Sequence, residues 1–122
     1  MEWKISYLAD EQVVVIKTYG IADEASSLEM AQSISKTMMQ YTATRCLIDH
    51  SNLASVSGSS VDIYYRPQGL SKTGISSEVK IAELVNPVFK EHFGFLEYAC
   101  RNNGFKFRVF ESREPAIKWL TQ

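Results

Sequence analysis

"LIDHSNLASVSGSSV", residues 47–61, opens on an apolar run and closes on a serine-rich turn. With the two residues before it, "RCLID" at 45–49 reads as a short buried strand. Ser57-Gly58-Ser59-Ser60 reads as the start of a short helix over 59–66, because serine side chains accept hydrogen bonds from free N–H groups at a helix start. Pro67 closes that helix, since a residue before proline is disfavoured in the helical region. "PQGLSKTGISS", 67–77, then reads as a loop and as the most mobile segment of the chain. A strand that leads through a polar turn into a helix is half of a β-α-β unit, so the stretch predicts a parallel sheet.

The flanks extend the pattern. "WKISYL" (3–8) alternates apolar and polar residues, and "VVVIKTY" (13–19) is a β-branched run. Two strands so close in sequence form an antiparallel hairpin. Residues 23–41 form a helix, started by Asp23 or by a Ser26/Glu29 capping box, with Leu28, Ala31, Ile34, Met38 and Tyr41 along one stripe. "EVKIAELV" (78–85) is a strand with Val79, Ile81 and Glu83 on one face. Asn86-Pro87 starts a helix, with Phe89, Phe93, Leu96, Ala99 and Cys100 inward, and Asn103-Gly104 ends it. "FKFRVF" (105–110) is a last strand. Ser112 caps a last helix with Ala116, Ile117 and Leu120 facing in. The order β-β-α-β-α-β-α-β-α predicts an α/β fold: five strands, mostly parallel, and about four helices. The cleanly alternating first and last strands belong at the edges.

The 122 residues suit a single domain over 1–122 with one core. Thirteen Lys+Arg against fourteen Asp+Glu give a net charge of −1, against a nucleic-acid binder. No apolar run is long enough to span a bilayer, and the first residues lack the apolar centre of a signal peptide. Cys46 and Cys100 lie far apart, with no metal-binding spacing, and read as buried thiols in a reducing cytoplasm.

On this pattern the chain resembles the STAS fold, the domain of bacterial anti-sigma-factor antagonists. It is similar above all to the small stand-alone bacterial proteins sharing that fold, which has the CRAL-TRIO lipid-binding domain as a topological relative. The N-terminal hairpin, "CLIDHSNL" before a serine-rich helix start, and the ending "NNGFKFRVFESREPAIKWL" carry the resemblance. It implies strand order 1-2-3-4-5 with only the first strand antiparallel, and helices mainly on one face. The other face then needs cover from a helix, a loop or a second copy, which makes a homodimer a hypothesis.

Three candidate sites follow. Asp49-His50-Ser51 has the residue types of a catalytic triad, but neighbours on a strand point to opposite faces, so a cap at the strand end is the better reading. Ser57, Gly58, Ser59 and Ser60 form a candidate phosphorylation or anion site. The resemblance implies an Asp-Ser-Ser-Gly motif here, whose first serine is phosphorylated. Aligned without gaps, Ser57 stands at its acidic position and Gly58 at the acceptor, and a plain capping turn is the favoured alternative. Tyr64, Tyr65, Phe89, Phe95 and Tyr98 form a candidate partner or ligand surface. Glu78, Glu83 and Glu91 read as solvated charges. No catalytic, metal or cofactor site is expected. The expected function is a non-enzymatic regulatory module that binds a protein or its own copy. The alternative is a binder of a small apolar or lipid-like ligand, in a pocket involving Tyr64, Tyr65, Phe89 and Phe93.

Overall fold

A computed structural model describes all residues, 1–122. The elements are β1 (Glu2–Leu8), β2 (Val13–Ala22), α1 (Glu24–Tyr41), β3 (Arg45–Asp49), β4 (Leu53–Val56), α2 (Ser60–Lys72), β5 (Lys80–Leu84), α3 (Lys90–Asn102), β6 (Lys106–Phe110) and α4 (Arg113–Leu120). A 3-10 turn at Pro87–Phe89 leads into α3. The sheet runs β1-β2-β3-β5-β6, antiparallel between β1 and β2 and parallel elsewhere. The order is sequential, and the first and last strands are the edges.

There are six strands rather than five. Lys17 pairs with Asp49 and Gly20 with Leu53, so β4 continues the line of β3 along the same edge of β2. Three steps on β2 face four on the other chain. The extra residue interrupts the ladder at His50-Ser51-Asn52 and splits one strand position into β3 and β4. Gly20, at φ +89°, lets β2 run on to Ala22 and meet β4.

A second correction concerns α2, which passes through Pro67 to Lys72, leaving only 73–77 of the expected loop. A proline inside a helix removes one hydrogen bond and leaves a carbonyl without its donor. Burial of the Pro67 ring offsets this. The Ser71 hydroxyl donates to the Pro67 carbonyl at 3.1 Å, and the Thr73 hydroxyl to the Leu70 carbonyl at 2.6 Å. The rest of the segment is pinned by buried Ile75 and Val79.

Helices α1, α2 and α3 cover one face of the sheet. Met30, Ala31, Ile34, Met38, Ile63, Phe93, Leu96 and Cys100 pack there on Val14, Ile16, Cys46, Ile48, Ile81 and Phe107. On the other face, Ala116 and Leu120 of α4 pack on Val13, Val15, Leu47, Ala82 and Leu84. Burying each such aliphatic side chain contributes about 1.5–3 kcal/mol. Beyond α4 this face presents exposed Glu2, Lys4, Ser6 and Lys17. Of the covers expected for this face, a helix supplies one: α4 covers the apolar centre and polar side chains fill the margin. No helix is long and apolar enough to cross a membrane.

Candidate functional site

The serine-rich turn is built as a helix cap. Ser59 is the N-cap of α2, and its hydroxyl oxygen accepts the Asp62 N–H at 3.2 Å. Asp62 supplies negative charge to the first turn, where the helix dipole favours it, and accepts from Arg66 Nη2 at 2.9 Å. Both side chains are nearly buried. Gly58 lies against this pair at φ +126°, where a Cβ would stand 2.3 Å from the Asp62 carboxylate. The backbone conformation favours glycine, and a Cβ here would have to push the Asp62 carboxylate aside from its pair with Arg66. Ser57, Gly58, Ser59 and Ser60 are all exposed.

Asp49, His50 and Ser51 part as strand geometry requires. The Asp49 carboxylate accepts the Ser51 N–H at 3.0 Å and the Ser51 hydroxyl, closing the end of β3. His50 turns into the core, where Phe93 stacks on it at 5.0 Å. There it joins a Glu-His-Thr chain that sequence reasoning missed. Thr18 Oγ1 lies 2.7 Å from His50 Nδ1, and His50 Nε2 lies 3.2 Å from Glu83 Oε2. The Thr18 hydroxyl also lies 3.2 Å from the Asp49 carbonyl, to which it can donate. The expectation that Glu83 is a solvated charge fails: it is 3 % exposed. The cause is its register on β5, beside Ile48 of β3 and on the same face as buried Ile81. Alternation along "VKIAE" put Glu83 on the buried face, and that signal was available in the sequence. The chain has the residue types of a catalytic triad, but Thr18 is fully buried, so a substrate carbonyl has no path to it.

Glu83 and His50 do face a cavity of about 70 Å³ beneath α1, α2 and α3. Its wall is apolar, with Ala31, Ile34, Ile48, Ile81, Phe93 and Leu96. Of the lining residues only Ser27, Leu28, Arg66 and Leu70 are not fully buried, which places the mouth at the α1–α2 seam. Gly69 closes that seam, since a Cβ there would lie 2.8 Å from Leu28 Cδ2. Burial pushes the thiol of Cys100 up to about 12, and that of Cys46 higher still, with Glu83 adding to both. Beside the cavity, burial holds His92 below the ordinary histidine value, and Arg66 lowers it further.

The expected surface aromatics divide. Tyr64 and Tyr65 on α2 are exposed and meet edge to face at 5.2 Å, and Tyr98 on α3 is exposed. Phe89 and Phe95 are half-buried against the core. Helices α2 and α3 pack side by side. Of the four residues expected around a pocket only Phe93 lines the cavity. Tyr64 and Tyr65 point to solvent instead, because Ile63 and Pro67 hold the inward face of α2.

No protein-family model and no curated protein matches the sequence. Solved structures do match over nearly the whole chain. The anti-sigma-factor antagonist SpoIIAA in its unphosphorylated form is 18 % identical, with a TM-score of 0.54 over 97 % of this chain and 96 % of that one. An anti-sigma-factor antagonist from Mycobacterium paratuberculosis is 13 % identical, with a TM-score of 0.66 over 99 % and 94 %. An uncharacterised protein from Shewanella loihica with a SpoIIAA-like fold is 18 % identical, with a TM-score of 0.53 over 98 % and 92 %. At these identities the likeness is one of fold, and the chain has the STAS-like fold of the anti-sigma-factor antagonists.

Proposed function

We propose that the chain is a non-enzymatic regulatory module of the cytoplasm that acts by docking a protein partner on the α2–α3 side. The observation that carries this reading is the distribution of exposed apolar side chains. Of the eight large ones, five (Val61, Tyr64, Tyr65, Val88 and Tyr98) lie on α2, α3 and the turn before α3. Exposed aromatics gathered beside a loop at the strand ends suit a protein surface, since tyrosine adds contact area at little entropic cost. The anti-sigma-factor antagonists of like fold are named for action on other proteins. Two free, buried thiols agree with a reducing compartment.

In this reading Ser57, Gly58, Ser59 and Ser60 shape the rim of the docking face and carry no phosphate switch. Asp62 already holds the anion position at the start of α2, so an added phosphate would meet a carboxylate there. Incubation with ATP and native cell extract is expected to leave the 47–66 peptide unmodified; stoichiometric phosphoserine in it would reverse this part. The docking itself is tested with Tyr64→Ser, Tyr65→Ser and Tyr98→Ser combined. Quantitative affinity purification from the native cell should lose a specific partner while the melting temperature stays within a few degrees. Equal recovery by both proteins would refute the assigned face.

A second reading, a binder of a small apolar ligand, is favoured by the cavity under α1, α2 and α3. Its volume is far below the roughly 300–1,000 Å³ of pockets for drug-sized ligands, so a lipid chain does not fit.

A further inference from the structure

We infer that the partner docks on the outward ridge of α3 with an amphipathic α-helix: a bulky apolar side chain of that helix seats over Gly94, and acidic residues flank it. The inference deepens the docking reading above and rests on it. Gly94 is the observation that carries it. It is exposed, and it lies in the interior of the 13-residue helix α3. After proline, glycine is the least favourable residue in a helix interior. The usual reasons for keeping one are absent here. Gly94 does not have a positive φ, and a Cβ built on it meets nothing within 4 Å. At Gly58 and Gly69, by contrast, side chains of this protein stand in that space. The free chain therefore gains nothing from the missing side chain at Gly94, and the gap is open to a second molecule.

The shape of the ridge says what fits it. Exposed Lys90, Gly94, Tyr98 and Arg101 follow one another at three- and four-residue spacing, so they form one line along α3, about 16 Å long. Gly94 is the notch in that line, one turn from Tyr98. A notch lets two helix axes come closer than side chains on both would permit. A partner helix repeats the same spacing, so one of its side chains fills the notch while the next turns meet Tyr98 and the ends of the ridge. Charge sets the rest. Lys90 and Arg101 at the two ends, and Lys72 at the end of neighbouring α2, are exposed and make no ion pair within the chain. Glu91 is the one exposed carboxylate of α3; Glu97 is occupied by the Val109 N–H at 2.6 Å. Three free cations against one carboxylate complement a helix with acidic residues about three turns apart.

The test has two readouts. In the isolated full chain, Gly94→Ala and Gly94→Gln should each raise the melting temperature by about 2–6 °C, because both residues favour a helix over glycine. In the native cell, with a photoreactive residue at Tyr65, Gly94→Gln should lower the yield of the crosslinked partner at least about tenfold, and so should Lys90→Glu combined with Arg101→Glu. Sequencing of the trapped peptide should give a net acidic segment with apolar residues at three- and four-residue spacing. A lower melting temperature in both Gly94 variants would mean that the chain itself needs the glycine, and would overturn the inference. An undiminished crosslink in Gly94→Gln, or a trapped segment that is net basic or alternates as a strand, would overturn it too and leave the docking face standing. No discrete crosslink from Tyr65 in the native chain would overturn the docking reading as well.

Discussion

Gly58 shows how much one residue can decide. Its φ of +126° strains any side chain there, and a Cβ would displace the Asp62 carboxylate beside it. Gly58→Ser is therefore expected to destabilise the fold by about 1–3 kcal/mol, read from urea unfolding, rather than create a switch. His92 makes a second prediction at this scale. Burial first, and Arg66 next, hold its folded-state value below the ordinary 6.5. Above pH 6.5 both folded and unfolded chains keep it neutral. As pH falls below 6.5 the unfolded chain takes the proton first, so stability drops until pH passes below the folded value. The stability difference between the native chain and His92→Gln should change in that sense below pH 6.5 and stay flat above it. Residue types alone mislead at this scale. Glu83 looks solvated by charge and is buried by register. Asp49 and His50 are neighbours in sequence, yet one closes a strand and the other joins a buried chain with Thr18 and Glu83.

Elements were legible wherever their ends carry distinctive residues. Asn86-Pro87 and Gly104 bracket α3 with its lead-in turn, and Asp23 accepts the Ser26 N–H at 2.8 Å to start α1. Pro67 misleads because its cost is local, whereas the burial that offsets it depends on neighbours distant in sequence. β4 escapes notice because four residues, "LASV", carry little periodicity and their partner strand lies more than thirty positions away. Helix α4 is short, eight residues, and its hold on the second face rests on Ala116 and Leu120. Leu120→Ala should cost about 2–5 kcal/mol and expose the Val13–Val15 face, measured by chemical unfolding and by amide exchange in β2. A loss under about 1 kcal/mol would mean that α4 contributes little to covering that face.

At the scale of the whole molecule, alternation and apolar runs foretold the hairpin, the edge strands and the helix count, and the resemblance to the STAS fold implied the sheet order with its lone antiparallel strand. They did not place the cavity, because it forms where α1, α2 and α3 meet over the sheet and belongs to no single segment. Its polar lining residues are Ser27 of α1, His50 just after β3, Arg66 of α2 and Glu83 of β5, and they share no recognisable spacing. The exposed aromatics were named from sequence, but which of them face solvent depended on the inward positions of Ile63 and Pro67. Docking through the α2–α3 face is the central claim, and site-specific photo-crosslinking tests it most directly. A photoreactive residue at Tyr65 or Tyr98 should, in the native cell, trap one discrete protein, while the same residue at Lys4 or Lys17 on the opposite face traps none. Crosslinks of equal yield from both faces, or from Lys4 and Lys17 alone, would contradict the account.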